Sequence, residues 1–137
     1  MSSPTPRLIE LPKIYDPRGS LTFVEGERHV PFPIRRVFVL YDVPEDAERG
    51  GHALKTCDQF LVAVAGGLDV HVDDGLNKRT FRLDRPNCGL HLPPLFWREL
   101  SHFAAHTVCL ALASEPYSEA GYFRTYEAFL AGVGPKA

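Results

Sequence analysis

The sequence contains no apolar run approaching the ~18 residues a membrane-spanning helix needs. Its N-terminus, Met1-Ser-Ser-Pro-Thr-Pro-Arg7, has no apolar segment of the kind that marks a secretory leader. Neither a membrane association nor export is expected, and the cytoplasm is the expected location. Charge of one sign is also missing. Lys and Arg number 15 against 17 Asp and Glu, a formal net charge of -2, so nothing draws the chain to nucleic acid or to an anionic membrane surface. Cysteine is sparse. Cys57, Cys88 and Cys109 are an odd, scattered set with no C-x-x-C spacing, which argues against a disulfide framework. Internal repeats, linkers and low-complexity stretches are absent.

The 137 residues with 45% hydrophobic content suffice for one domain with a sizeable core, expected over residues 1–137. Short segments rich in Val, Phe, Leu and Thr recur between Gly, Pro and Asp. Strands are expected at 20–25, 36–42, 59–65, 69–73, 78–83, 89–92, 98–103 and 107–114. Asp74-Gly75, between Val70-His71-Val72 and the next strand, supplies hairpin chemistry. Twelve prolines and eleven glycines among short strands suit a closed all-β sandwich or barrel better than a βαβ sheet. Only the end reads as helix: Ser118 as cap, Tyr122, Tyr126 and Phe129 at helical spacing, and Gly132 near the stop.

The densest chemical signal is Arg49-Gly50-Gly51-His52-Ala53-Leu54, running toward the apolar strand Phe60–Val64. Residues i and i+2 of a strand face one side, so His52 and Leu54 share a face. With an ordinary pKa of about 6.5, His52 is the candidate acid/base; a strand-start histidine held by hydrogen bonds has the same sequence. His71 and His91 alternate with apolar neighbours and read as structural, while His29, His102 and His106 have no spacing that demands a ligand role. Arginines form a second constellation: Arg18 in Asp16-Pro17-Arg18-Gly19, Arg35 and Arg36 before a strand, and Arg49 at the glycine turn. Their planar forks match phosphate oxygens bidentately, so convergence on one mouth would suit a pyrophosphate. Trp97 offers a flat face for a base or sugar, and would fill a core equally well.

Taken in order, Asp16–Leu21, Pro31–Val37, Arg49–His52, Asp58-Gln59, Val72–Gly75, Pro94–Trp97, Leu112–Ser114 and Tyr122–Phe129 resemble the sugar 3,4-ketoisomerases of the cupin superfamily. Those enzymes act on dTDP-4-keto-6-deoxyglucose in deoxysugar biosynthesis. The likeness spans about Leu8 to Leu130. It implies a cupin-like jelly-roll barrel with a short C-terminal helix, a homodimer, and catalysis without metal or other cofactor. It also implies a proton shuttle at His52 and a dTDP-linked keto-sugar held by Arg18, Arg36, Arg49, Trp97 and Arg98. For the dimer, the apolar segment Leu8–Ile14 is expected to add a strand to a partner's sheet.

Against the family pattern, His-Ala-His has become His52-Ala53-Leu54, a strand tyrosine is replaced at Phe38 and Val39, and Arg98 stands where a histidine follows the tryptophan. A cupin metal quartet would fall on His52, Leu54, Asp58 and Arg98, of which leucine has no lone pair and arginine is a permanent cation. Two rival functions share the motif. A dTDP-4-keto-sugar epimerase needs only one imidazole and a separate acid, and a non-catalytic barrel would bind the nucleotide sugar through its arginines alone.

Overall fold

The computed structural model describes residues 4–134. Its strands are β1 (Arg7–Glu10), β2 (Lys13–Asp16), β3 (Gly19–Thr22), β4 (Arg36–Leu40), β5 (Arg49–Leu54) and β6 (Gln59–Ala65), followed by β7 (Leu68–Asp73), β8 (Lys78–Leu83), β9 (Cys88–Leu92), β10 (Trp97–Ser101), β11 (Val108–Ala113) and β12 (Tyr122–Phe123). A single α-helix, α1 (Tyr126–Val133), follows them. Two five-stranded antiparallel sheets, β1-β9-β6-β11-β4 and β12-β5-β10-β7-β8, stack face to face, and β2 pairs only with β3. The expected all-β sandwich with a short C-terminal helix is present. No helix among the described residues is long and apolar enough to cross a membrane.

Alternation explains the packing. Leu61, Ala63, Leu90, Leu92 and Ala111 of the first sheet meet Leu68, Val70, Val72, Phe81, Leu83 and Leu100 of the second. Each large aliphatic side chain buried this way contributes roughly 1.5–3 kcal/mol. The intervening residues Phe60, Val62 and Leu112 point outward and are covered by Leu11, Val30 and Phe32. That double burial is why β6 reads as a continuous apolar run. The β7–β8 hairpin closes over Asp74, whose Oδ1 accepts from the N–H groups of Leu76 (2.8 Å) and Asn77 (2.7 Å).

One expectation changes. Helix α1 begins at Tyr126, not after Ser118: Thr125 caps it, its hydroxyl accepting from Ala128 N. Ser118 leads only into a 3-10 turn at Glu119–Gly121. Tyr122 lies in β12 and pairs with Leu54, because closing the edge of β5 satisfies backbone groups that an isolated extra turn would leave to solvent. The segment Leu8–Ile14 divides. Its first half is β1, paired with β9 of the same chain, and its end enters the β2–β3 hairpin.

Candidate active site

The glycine turn works as a bulge. Gly50 and Gly51 hold φ of 85° and 72°, the left-handed region that favours glycine. Opposite them the β10 register skips between Arg98, paired with His52, and Glu99, paired with Gly50. A Cβ on Gly50 would stand 3.0 Å from the Arg98 carbonyl oxygen. The extra residue bends β5 and turns His52 and Arg98 into the space between the sheets. Leu54 faces the same side, packed with Cys57, Ala113 and Tyr122, while Ala53 faces outward against Trp97 and Phe129. The i, i+2 geometry expected of the motif is present, with leucine filling the second position.

His52 lines a cavity of about 130 Å³ with Phe38, Gln59, Arg98, Tyr122 and Arg124, and the exposed Arg49 stands at its edge. Pockets for drug-sized ligands run to several hundred Å³, so this one takes only part of a nucleotide sugar. Arg98 is the largest fully buried side chain. Its Nη1 donates to Gln59 Oε1 at 2.6 Å and its Nη2 to the Phe96 carbonyl at 3.2 Å. No carboxylate among the described residues pairs with it, and burial pushes its guanidinium down to about 10. Arg36 reaches the site from behind Tyr122, donating from Nη2 to the phenol oxygen at 3.0 Å and lying over the Phe38 ring at 5.1 Å. Its Nε is buried without a partner. Arg124 is paired through a two-pronged bond to Glu119, 2.7 Å on each oxygen, which holds the carboxylate down to about 2. Its guanidinium covers the Tyr122 ring at 4.1 Å.

This surrounding sets the state of His52. Burial first, then the positive charge of Arg98, Arg124 and Arg36, pushes the imidazole down to about 4, so it is neutral at physiological pH and free to accept a proton. Tyr122 meets it edge-on, ring centres 5.1 Å apart. A buried cation without a counter-ion is costly, and Arg98 and the orphaned Arg36 Nε together create a demand for an anion or an oxygen acceptor. The site therefore brings a neutral base, a phenol and the positive charge of Arg98 to the lining of one cavity.

Of the residues singled out from sequence, His52, Arg49 and Arg98 line this cavity, and Arg36 stands behind it against Tyr122. Trp97 does neither. One position from Arg98 on β10, it must face the other way, and it packs under α1 with its indole donating to Glu99 at 3.0 Å and Tyr126 edge-on against it. Arg18 sits at the β2–β3 tip, its side chain 90% exposed and tied to Asp16 at 2.9 Å. Asp58 is engaged with His91 at 2.8 Å, outside the cavity lining. Tyr122, Arg124 and Gln59 also line the cavity; they lie in the family-like segments Asp58-Gln59 and Tyr122–Phe129 but carried no expected site role. Gln59 had a signal in hindsight, since it is in phase with Leu61 and Ala63 on β6.

Comparison with known proteins gives the site a context. Residues 4–134 match the family model described as FdtA: WxcM-like, C-terminal. The chain is 38% identical over 123 residues to the TDP-4-oxo-6-deoxy-alpha-D-glucose-3,4-oxoisomerase of Aneurinibacillus thermoaerophilus, covering 90% of this chain and 88% of that one. Among solved structures it is similar to QdtA, a sugar 3,4-ketoisomerase from Thermoanaerobacterium thermosaccharolyticum in complex with TDP. There the TM-score is 0.92 and the identity 34%, over 94% of each chain. A mutant of QdtA in complex with TDP-4-keto-6-deoxyglucose superposes equally well, with TM-score 0.92 and 33% identity over 94% of each chain.

Proposed function

The chain belongs to the FdtA, WxcM-like C-terminal family, and from that premise we propose that it is a 3,4-ketoisomerase acting on a dTDP-4-keto-6-deoxyhexose in deoxysugar biosynthesis. The observation that carries the reading is His52, buried neutral beside Tyr122 and Arg98. Relatives crystallised with TDP and with TDP-4-keto-6-deoxyglucose support the ligand class.

The C4 ketone of such a sugar acidifies the C3 hydrogen. Neutral His52 takes that proton, and the electron pair moves into the C3–C4 bond as the ketone becomes an enolate. Arg98 and Arg36 stabilise the developing charge, which costs no reorganisation because both cations are already fixed. Tyr122, polarised by the Arg36 bond to its oxygen, protonates O4 to give the enediol. The O3 proton then passes to the tyrosinate, C4 takes the proton held on His52, and a C3 ketone remains. Atoms and electrons balance without redox partner or metal. Protonated His52 stands among arginines, so it returns its proton readily. The nucleotide diphosphate, too large for the cavity, lies toward the Arg49 edge.

The protein acts as a homodimer in this proposal. Val37, Val39 and Val64 leave an apolar strip exposed on the outer face of the first sheet, and Ile14, Tyr15 and Leu21 leave another on the unpaired β2–β3 hairpin. A second copy covering both would remove them from water. Arg18, at the hairpin tip, then contributes to binding only through a partner's mouth. Incubation with dTDP-4-keto-6-deoxyglucose in deuterated water tests the reaction. A 3-keto product is expected, with exchange at C3 or C4 in proportion to how freely His52 exchanges its proton with solvent. Deuterium at C3 or C5 with the ketone unmoved means an epimerase, and saturable dTDP binding without product or exchange means a binding protein.

A further inference from the structure

We propose that Asp69, His71 and His102, on the outward face of β7 and at the end of β10, form a site for a divalent transition-metal ion such as Zn²⁺, apart from the cavity that holds His52. One donor atom from each lies within 4.8 Å of the other two. Sequence separation hides the cluster, and antiparallel pairing creates it: Asp69 stands opposite Ser101, and His71 opposite Glu99.

The geometry is directed. Thr80 Oγ1 lies 2.9 Å from His71 Nδ1, on the ring nitrogen away from the cluster, leaving Nε2 turned inward. Such an outer partner fixes tautomer and orientation in metal-binding histidines. Ser101 Oγ sits 2.6 Å from His71 Nε2 and 2.9 Å from His102 Nδ1, so a single hydroxyl occupies the point on which both imidazoles converge. Asp69 Oδ2 approaches His102 Nδ1 at 3.2 Å. Ligand atoms on a tetrahedral zinc ion with bonds of about 2.0–2.1 Å are about 3.3 Å apart, so this pair is already at ligand spacing. The other separations stay within 4.8 Å, and closing them to ligand spacing takes small rotations of the two imidazoles, of which His102 is the more exposed at 71%.

Two further features hold the cluster in place. Arg82 Nη1 binds Asp69 Oδ1 at 3.2 Å and the His102 carbonyl at 2.8 Å, securing the far carboxylate oxygen and leaving Oδ2 for the ion. His102 has φ of 54°, a conformation that costs a non-glycine residue energy and is kept where the surroundings require it. Its ring meets Asp69 Oδ2 through Nδ1. Two imidazoles and one carboxylate, with a fourth position open to water, suit Zn²⁺, Ni²⁺ or Co²⁺. Ca²⁺ would need six or more oxygens. The bound ion would tie the β7–β8 hairpin to the turn after β10 and raise stability by mass action.

Calorimetric titration of the full chain with Zn²⁺ near neutral pH, alongside thermal unfolding, tests this. Expected are one saturable Zn²⁺ per chain, a higher Tm with the metal, and no comparable uptake of Ca²⁺. His102→Gln, at an exposed position that spares the fold, should weaken uptake at least tenfold. Thr80→Val, which removes only the outer partner of His71, should cost about 10-fold or more. Both variants should retain dTDP binding. No saturable uptake by the wild-type chain, or uptake undiminished by His102→Gln and His71→Ala, overturns the proposal.

Discussion

Strand β10 turns Arg98 toward the lumen and Ser101 toward solvent, so one strand serves two polar clusters built on opposite electrostatic terms. Inside, Arg98 and Arg36 have no carboxylate partner among the described residues, and what answers their charge is a glutamine oxygen, a backbone carbonyl and a phenol. Outside, Asp69 answers Arg82 and His102 directly. The outer arrangement carries its own anion, already shared with Arg82, and what it offers an ion is convergent donor atoms, not net negative charge. The inner one is positive, buried and short of an anion, and it strips His52 of its proton. Histidine alone says little about chemistry; which face of the strand it lies on, and which charges share that face, decide what it does.

The comparison breaks most visibly at His52. His52→Asn keeps polarity and approximate size but cannot take the proton. Turnover should fall by at least 10²–10⁴-fold while dTDP affinity changes little, as read by product NMR and calorimetry. Retained turnover would move the base elsewhere. The next largest effect is expected at Tyr122. Tyr122→Phe keeps the ring against His52 and removes the acid, so kcat should drop by about 10²-fold with KM nearly unchanged. A KM effect alone would make Tyr122 a binding group.

Arg98 sharpens the contrast by separating stability from function. Arg98→Met alone strands the Gln59 and Phe96 oxygens. Arg98→Met combined with Gln59→Leu removes the buried cation, its main acceptor and the unpartnered Gln59 amide nitrogen together. That double variant should be more stable by about 1–4 kcal/mol and should lose nucleotide-sugar binding. A destabilised double variant would mean that the lumen charge stabilises the fold. The smallest effect concerns acid. The folded chain holds His52 at about 4 against about 6.5 unfolded, so the unfolded state binds the proton first as pH falls. The resulting stability is complete above about 6.5 and is lost on the way down to about 4, on the order of 3 kcal/mol at most. Urea midpoints between pH 7.5 and 4 should therefore fall more steeply for the wild type than for His52→Asn.

The sheet strands were the readable part of this chain, because alternation and turn residues are local. The expected spans 59–65 and 78–83 coincide with β6 and β8. The place of His52 at the start of a strand was readable because a two-glycine turn precedes it; the bulge opposite β10 was not. Tyr122 was not, since its spacing to Tyr126 and Phe129 mimics a helix, and only pairing with distant Leu54 makes it a strand residue. Trp97 shows how alternation sorts neighbours: if Arg98 faces the lumen, period-2 geometry sends residue 97 to the outer face. The outer Asp69–His71–His102 cluster was beyond local reading, because antiparallel register alone brings residues some thirty positions apart together.

The account rests on a lumen that keeps His52 neutral until substrate arrives, and an NMR titration of the His52 imidazole with and without dTDP tests that most directly. The free protein should titrate at about 4, and dTDP should raise that value, because a diphosphate at the cavity mouth offsets part of the positive field of Arg98, Arg124 and Arg36. A free-protein value at or above 6.5, or one that dTDP leaves unmoved, would contradict it.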